Sequence, residues 1–267
     1  MAVTIGTPHV GELLRSWRLR RSLTQLELSL GSDVSARHLS FIETGRAKPS
    51  REMVVHLADQ LDVPLRERNG LLLAAGYAPM YSDRPIDADE MTPVRQALDR
   101  FLRAHEPYPA VVADRHWTLV AANDALHVLT DGVSPALLEP PANGLRVMFH
   151  PQGMAPRIVN LDEYSAHILR RLRRRIAITG DGVLERLYQE LLTYPGVEAE
   201  PPLGDTAGAD IVLPLRLRQP DGELAFLSTI STFGTAMDVT LSELAIEAFY
   251  PATAATATAL LQDIAAG

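Results

Sequence analysis

The chain has 267 residues, 46% hydrophobic and 22% charged, with a formal net charge of −8 and no cysteine. This is a globular composition with room for two domains, and the missing cysteines exclude disulfides, thiol catalysis and cysteine-ligated zinc or iron–sulfur clusters. No run of about 18 apolar residues offers a membrane span, and MAVTIGTPHV lacks the charged-then-apolar pattern of a secretory signal, so a soluble cytoplasmic protein is expected.

From Thr7 to Arg21, Val10, Leu13, Leu14 and Trp17 form one stripe and Arg15, Arg18, Arg20 and Arg21 lie elsewhere, which predicts an amphipathic helix. Thr24 with Glu27 three residues on has capping-box spacing, so a second helix opens near Gln25, with Leu26 and Leu30 sharing a face. Gly31, Ser32 and Asp33 supply turn chemistry, and Ser35 is a further N-cap type that opens a helix over about 36–44. Leu39 and Ile42 would be its buried face, with Val34 packing just before it. Ala36, Arg37, Ser40 and Phe41 then face outward. Gly45 closes this helix, and Arg46 and Lys48 follow. An outward face with an arginine fork, a hydroxyl and apolar atoms suits base edges in a DNA major groove; an ordinary helical hairpin is the alternative. Ser50 caps a fourth helix carrying Met53, Val54, Leu57, Ala58 and Leu61 and stopped at Asp62-Val63-Pro64. A fifth, over 65–75, ends at Gly76.

The stretch Leu23 to Ser50 resembles the Cro/repressor-type helix-turn-helix of XRE-family regulators, on Thr24-Gln25 opening the first helix and Glu43-Thr44-Gly45 closing the second. The likeness extends over about 10–77. It implies that Gln25 contacts phosphate, that Ser35, Ala36, Arg37 and Ser40 face the groove, and that Arg18 pairs with Glu43 as scaffold. Phe41, Arg46 and Lys48 complete the expected DNA-binding set. Ala36 stands where better-known members often place an adenine-reading glutamine, so Arg37 is the principal candidate reader. The implied partner is double-stranded DNA. A net charge of −8 opposes phosphate binding, but residues 1–80 hold ten Lys/Arg against eight Asp/Glu and the remainder fifteen against twenty-five. So modest a cationic surplus leads us to expect binding as a homodimer.

APMYSDRPIDADEMTP, with three prolines and no apolar period, reads as a linker over 78–92 between a DNA-binding domain at 1–77 and a second domain at 93–267. The second domain starts with a helix over about 93–104. PAVVAD and HWTLVAAN then form a hairpin about Asp114-Arg115. Asn123 and Asp124 cap a helix at DALHVL, and further helices are expected over about 161–178 and 182–193. The strands IVLPLRLRQ, ELAFLSTIST and SELAIEAFY follow, the first two flanking the turn Pro220-Asp221-Gly222, and ATAATATALLQDI makes a closing helix. The expected fold is thus an all-α five-helix helix-turn-helix domain followed by an α+β domain with a five-stranded antiparallel sheet.

That second order of elements resembles a PAS-like sensor domain, and HPQGMAPRIVNLDEY (150–164) and GTAMDVTLSELAIEAFYPATAATA (234–257) are similar to segments of MmyB-like regulators. The resemblance implies a small, largely apolar ligand, a fatty acid being one candidate, held between sheet and helices. Expected lining residues are Trp117, Leu119, Phe149, Phe226 and Phe249. Expected polar anchors are His150, Arg157 and Asn160, with Arg157 favoured for a carboxylate. Plain core packing is the alternative for the apolar set, and an ion pair with Asp162 or Glu163 for Arg157. The arginines between Arg170 and Arg175 lie on an amphipathic helix and are either a solvated face or an interface. Eight histidines are scattered without HExxH spacing, and G-x-S-x-G, G-x-x-x-x-G-K-[ST] and G-x-G-x-x-G are all missing. No metal, cofactor or catalytic constellation is therefore expected. The expected function is a ligand-responsive transcription regulator that is not an enzyme. The alternatives are a second domain that only dimerises, and an enzyme carried to DNA by the first.

Overall fold

The computed structural model describes residues 9–198, 213–220 and 222–266. The chain divides into two compact units, one of 1–85 with 235–242, the other of 86–234 with 243–267.

The first unit contains α1 (Val10–Arg20), α2 (Gln25–Ser32), α3 (Ala36–Glu43), α4 (Arg51–Gln60) and α5 (Leu65–Ala74). Local chemistry places the starts. Thr24 and Glu27 form the reciprocal capping box, Ser35 accepts from the His38 amide, and Ser50 accepts from the Met53 amide. Asp33 and Gly45 end α2 and α3 with left-handed or positive-φ backbone at +54° and +72°. Val10, Leu14, Trp17, Leu28, Leu39, Ile42, Leu57 and Leu72 close a core in which each is buried. Gly11 makes the tightest contact: a Cβ there would lie 2.0 Å from the Ile42 carbonyl oxygen, so α1 rests directly on the end of α3.

Two features go beyond the sequence reading. Leu26 and Leu30 do share a face, but it is turned outward, at 61% and 75% exposure, while Leu28 takes the buried position. The stretch expected as a free linker is also tied down. Tyr81 is buried, the Asn69 side chain accepts from the Met80 and Tyr81 amides and donates to the Tyr81 carbonyl, and residues 235–242 join it through a parallel bridge between Ser82 and Asp238.

The second unit begins with α6 (Thr92–His105), β1 (Ala110–Ala113), β2 (Leu119–Ala122), α7 (His127–Thr130), α8 (Pro135–Leu138) and α9 (Gly144–Phe149). It continues through α10 (Leu161–Thr179), α11 (Gly182–Leu191), β3 (Leu215–Gln219) and β4 (Gly222–Thr232). Residues 239–242 of the first unit form most of α12 (Val239–Glu243), and β5 (Ala245–Pro251) and α13 (Ala254–Ala266) complete the second unit. The five strands are ordered β2-β1-β5-β4-β3, every pair antiparallel. Register sets Val111 opposite Glu247, Ser228 opposite Phe249, and Leu215 opposite Phe226. These side chains share one face of the sheet, over which Phe149, Leu169, Leu172, Leu184 and Leu187 build the core.

The helix expected at DALHVL is split into a 3-10 turn at Asp124–Leu126 and the short α7. Ser242 and Glu243, expected in the last strand, belong to α12. α8 and α9 are too short to show a helical period in sequence. α9 forms where the Asn143 side chain accepts from the Leu145 and Arg146 amides. Thr7, Ile211, Val212 and Asp221, which the expected elements included, lie outside the described residues.

Candidate functional site

The first candidate surface is the outward side of α3. Its position is fixed by one carboxylate, that of Glu43, whose side chain is 1% exposed. Arg18 donates from Nε to Oε1 at 2.6 Å and from Nη2 to Oε2 at 2.8 Å, and Gln25 donates from Nε2 to Oε2 at 2.7 Å. α1, α2 and α3 therefore meet at a single ion. Burial pushes the Glu43 carboxyl up, but the hydrogen bonds from Arg18 and Gln25 outweigh it and hold the group below its usual range. Gln25, expected on phosphate, thus commits one of its two N–H groups to Glu43.

On the other side of α3, Arg37 and Ser35 are exposed, while Ala36, Ser40 and Phe41 are partly so. The Arg37 guanidinium carbon lies 5.4 Å from the Phe41 ring centroid one turn on, a cation–π contact that uses no N–H donor of the exposed side chain. Arg46 is exposed beyond Gly45, and its amide donates to the Phe41 carbonyl at 2.8 Å. Lys48 sits 5.3 Å over Tyr77, whose hydroxyl donates to the Pro49 carbonyl. Arg21, by contrast, is used internally: it donates to the carbonyls of Leu61 and Asp62 that end α4. Exposed Arg15, Arg20 and Arg51 belong to the same unit.

The second candidate is an apolar slot of about 50 Å³ in the other unit, lined by Trp117, Leu119, Leu126, Leu129, Leu145, Met148 and Phe249 among others. Of the five apolar residues expected to line a ligand pocket, Trp117, Leu119 and Phe249 line this slot. Phe149 and Phe226 do not. Both are fully buried behind it, Phe226 edge-on to Phe249 at 6.4 Å.

None of the three expected anchors lines the slot. The His150 Nδ1 accepts from the Gln152 amide and its ring packs edge-on to Tyr194. Arg157 donates to the carbonyls of Val128, Leu129 and Asp131, closing the end of α7. Asn160 donates to the Pro214 carbonyl and accepts from the Arg216 amide, pinning β3. In each case a polar side chain satisfies backbone groups that would otherwise be stranded at an element end.

The lining instead contains a carboxyl that sequence reasoning missed, Glu247 on β5, 7% exposed. The available signal was parity: in AIEAFYP, Glu247 shares its side of the strand with Phe249. Burial pushes this carboxyl up, opposed by a hydrogen bond with Ser228 and the charge of Arg171. At the mouth of the hairpin, Trp117 has φ +67°, a conformation a bulky residue keeps only under constraint. The constraint is visible: Asp114 Oδ1 accepts from the amides of His116 and Thr118 at 2.8 Å each, and the Trp117 carbonyl accepts from Gly144 at 2.8 Å. In the same unit, Arg170, Arg171, Arg173 and Arg174 are exposed on α10.

Among the described residues no group of three or more His, Asp or Glu side chains could hold a metal ion, and no helix is long and apolar enough to cross a membrane. Residues 94–262 match the family model for the MmyB-like transcription regulator ligand binding domain, and residues 14–68 match a helix-turn-helix model. No curated protein matches the chain. Among solved structures, an RNA-binding light-oxygen-voltage receptor is 14% identical with a TM-score of 0.28; the match covers 96% of this chain and 63% of that one.

Proposed function

We propose that this chain, which belongs to the MmyB-like transcription regulators and carries an XRE-type helix-turn-helix, is a cytoplasmic, homodimeric regulator that reads a specific double-stranded DNA sequence with α3. The observation that carries this reading is the outward Arg37–Phe41 pair on a helix locked from behind by Glu43. Arg37 reads a base edge; Ser35, Ala36, Ser40 and Phe41 surround it; Gln25, Arg46 and Lys48 meet phosphate. A dimer doubles the small cationic surplus and sets two recognition helices on half-sites about 34 Å apart or a multiple of that.

The second domain responds to a small, largely apolar ligand in the slot. A ligand acts only through different affinities for two arrangements of the domain. The free space of about 50 Å³ is well below the roughly 300–1,000 Å³ of a small-molecule pocket, so entry must push Trp117 and the leucines apart. That small volume also favours a second reading, a domain that only dimerises and whose slot its own side chains fill; native mass spectrometry of the purified chain separates the two by the presence or lack of a bound molecule. The fatty-acid form of the expectation loses support, because the slot lining contains no basic side chain and Arg157 is engaged with carbonyls.

Arg37→Ala tests the DNA reading. It is expected to cost about 1–3 kcal/mol at the cognate site and to relax one base position. Equal weakening on every sequence would make Arg37 a phosphate contact and refute its role as reader.

A further inference from the structure

We propose that Glu247 selects the ligand of the slot, and that the ligand is a slender apolar molecule with a cationic amine head. This rests on the slot being a ligand site.

The lining is apolar apart from Glu247 and Thr130. Packing alone gives no reason for a carboxyl here. A buried carboxyl is costly without partners, and an apolar side chain at that strand position would complete the wall without the cost. Register places apolar Val111 of β1 and Ile230 of β4 directly opposite Glu247. The polar groups that face it are the Ser228 hydroxyl of β4, the Tyr164 hydroxyl of α10, which is buried beside both Ser228 and the carboxyl, and Arg171 of α10, which acts through its charge. Arg171 is exposed on its helix, so water screens it. Among the described residues the carboxyl thus has no strong counter-ion, and burial favours its neutral form.

An ammonium group entering the slot supplies the missing charge. It ionises Glu247, forms a charge-assisted hydrogen bond, and displaces a proton to solvent. An acid head does the reverse: it sets two carboxyls against each other and must retain a proton. An alcohol gains one neutral hydrogen bond and should fall between them. The narrow, leucine-lined space suits a single alkyl chain rather than a fused ring system.

The test titrates the full chain with octylamine, 1-octanol and octanoic acid at pH 6 and pH 8. Trp117 fluorescence is the readout, since that ring lines the slot. Octylamine is expected to bind at least about tenfold more tightly than octanoic acid and more tightly at pH 8 than at pH 6. Glu247→Gln should weaken octylamine about tenfold and leave octanol within about threefold. Calorimetry of the unaltered protein in two buffers of different ionisation enthalpy should show proton release on amine binding, a readout that does not depend on the variant folding. Octanoic acid binding as well as the amine, an amine affinity that Glu247→Gln leaves unchanged, or binding without proton release would each overturn the assignment while leaving the slot a ligand site. Failure of all three probes to bind would overturn the slot itself.

Discussion

Replacing Glu43 with glutamine removes one negative charge from the point where three helices meet. Arg18, with a side chain 7% exposed, then keeps its own charge beside a neutral amide. Glutamine keeps a single acceptor oxygen, and its NH2 must face either Arg18 Nε or the pair Arg18 Nη2 and Gln25 Nε2, so at least one of the three bonds at 2.6, 2.8 and 2.7 Å is lost and the rest lose the carboxylate's charge. Breaking a buried pair from one side costs about 3–5 kcal/mol, and the retained amide oxygen places Glu43→Gln near about 3. A helical domain of this size has only about 4–10 kcal/mol in total, and each kcal/mol moves its midpoint by about 4–8 °C. Differential scanning calorimetry of the full chain should therefore show the helical unit melting about 12–25 °C lower, with sheet-domain melting unmoved. Replacing both partners, Arg18→Met with Glu43→Leu, should recover most of that stability, yet DNA affinity should stay reduced because Gln25 loses the acceptor that positions it. A Glu43→Gln midpoint within about 2 °C of the parent would refute the view that this carboxylate holds α3 in place.

The same carboxylate sets an acid limit. Its folded pKa is depressed, so its contribution is complete above the ordinary carboxylate value of about 4.3 and is lost as pH falls below it. Urea midpoints should fall over that window, and Glu43→Gln should flatten the fall; an unchanged slope would argue against it. Gly11→Ala would drive a methyl to 2.0 Å from the Ile42 carbonyl. Overpacking of this kind costs about 1–3 kcal/mol, and an unshifted melting curve would show that α1 and α3 can separate freely. Arg157→Met removes donors to three carbonyls and should destabilise the second domain by about 1.5–3 kcal/mol; unchanged stability would refute the view that these bonds secure the end of α7.

The helix starts were legible because Thr24, Ser35 and Ser50 act on amides two or three residues away, and such chemistry needs no tertiary information. The Arg18–Glu43 pair followed from the XRE-type resemblance and is found buried. The outward turn of Leu26 and Leu30 was not legible. α2 places leucines at 26, 28 and 30, and only packing against α3 and α4 decides which of them is covered. The structural roles of Arg157 and Asn160 were not legible, because their partners are carbonyls 26 to 54 residues away, which no local pattern reveals. Glu247 was overlooked for a different reason: an acid in a strand is ordinarily placed toward water, and only its parity with Phe249 points it inward. The docking of 235–242 beside Ser82 was likewise invisible, since it joins segments more than 150 residues apart.

The most direct test of sequence-specific DNA reading by α3 is selection of a random duplex library by the full chain at physiological salt. The expected result is one enriched motif of two symmetry-related half-sites, centred about 34 Å or a multiple apart, in which Arg37→Ala relaxes a single base position per half-site. Recovery of DNA without an enriched motif, or a motif that Arg37→Ala leaves unaltered, would contradict it.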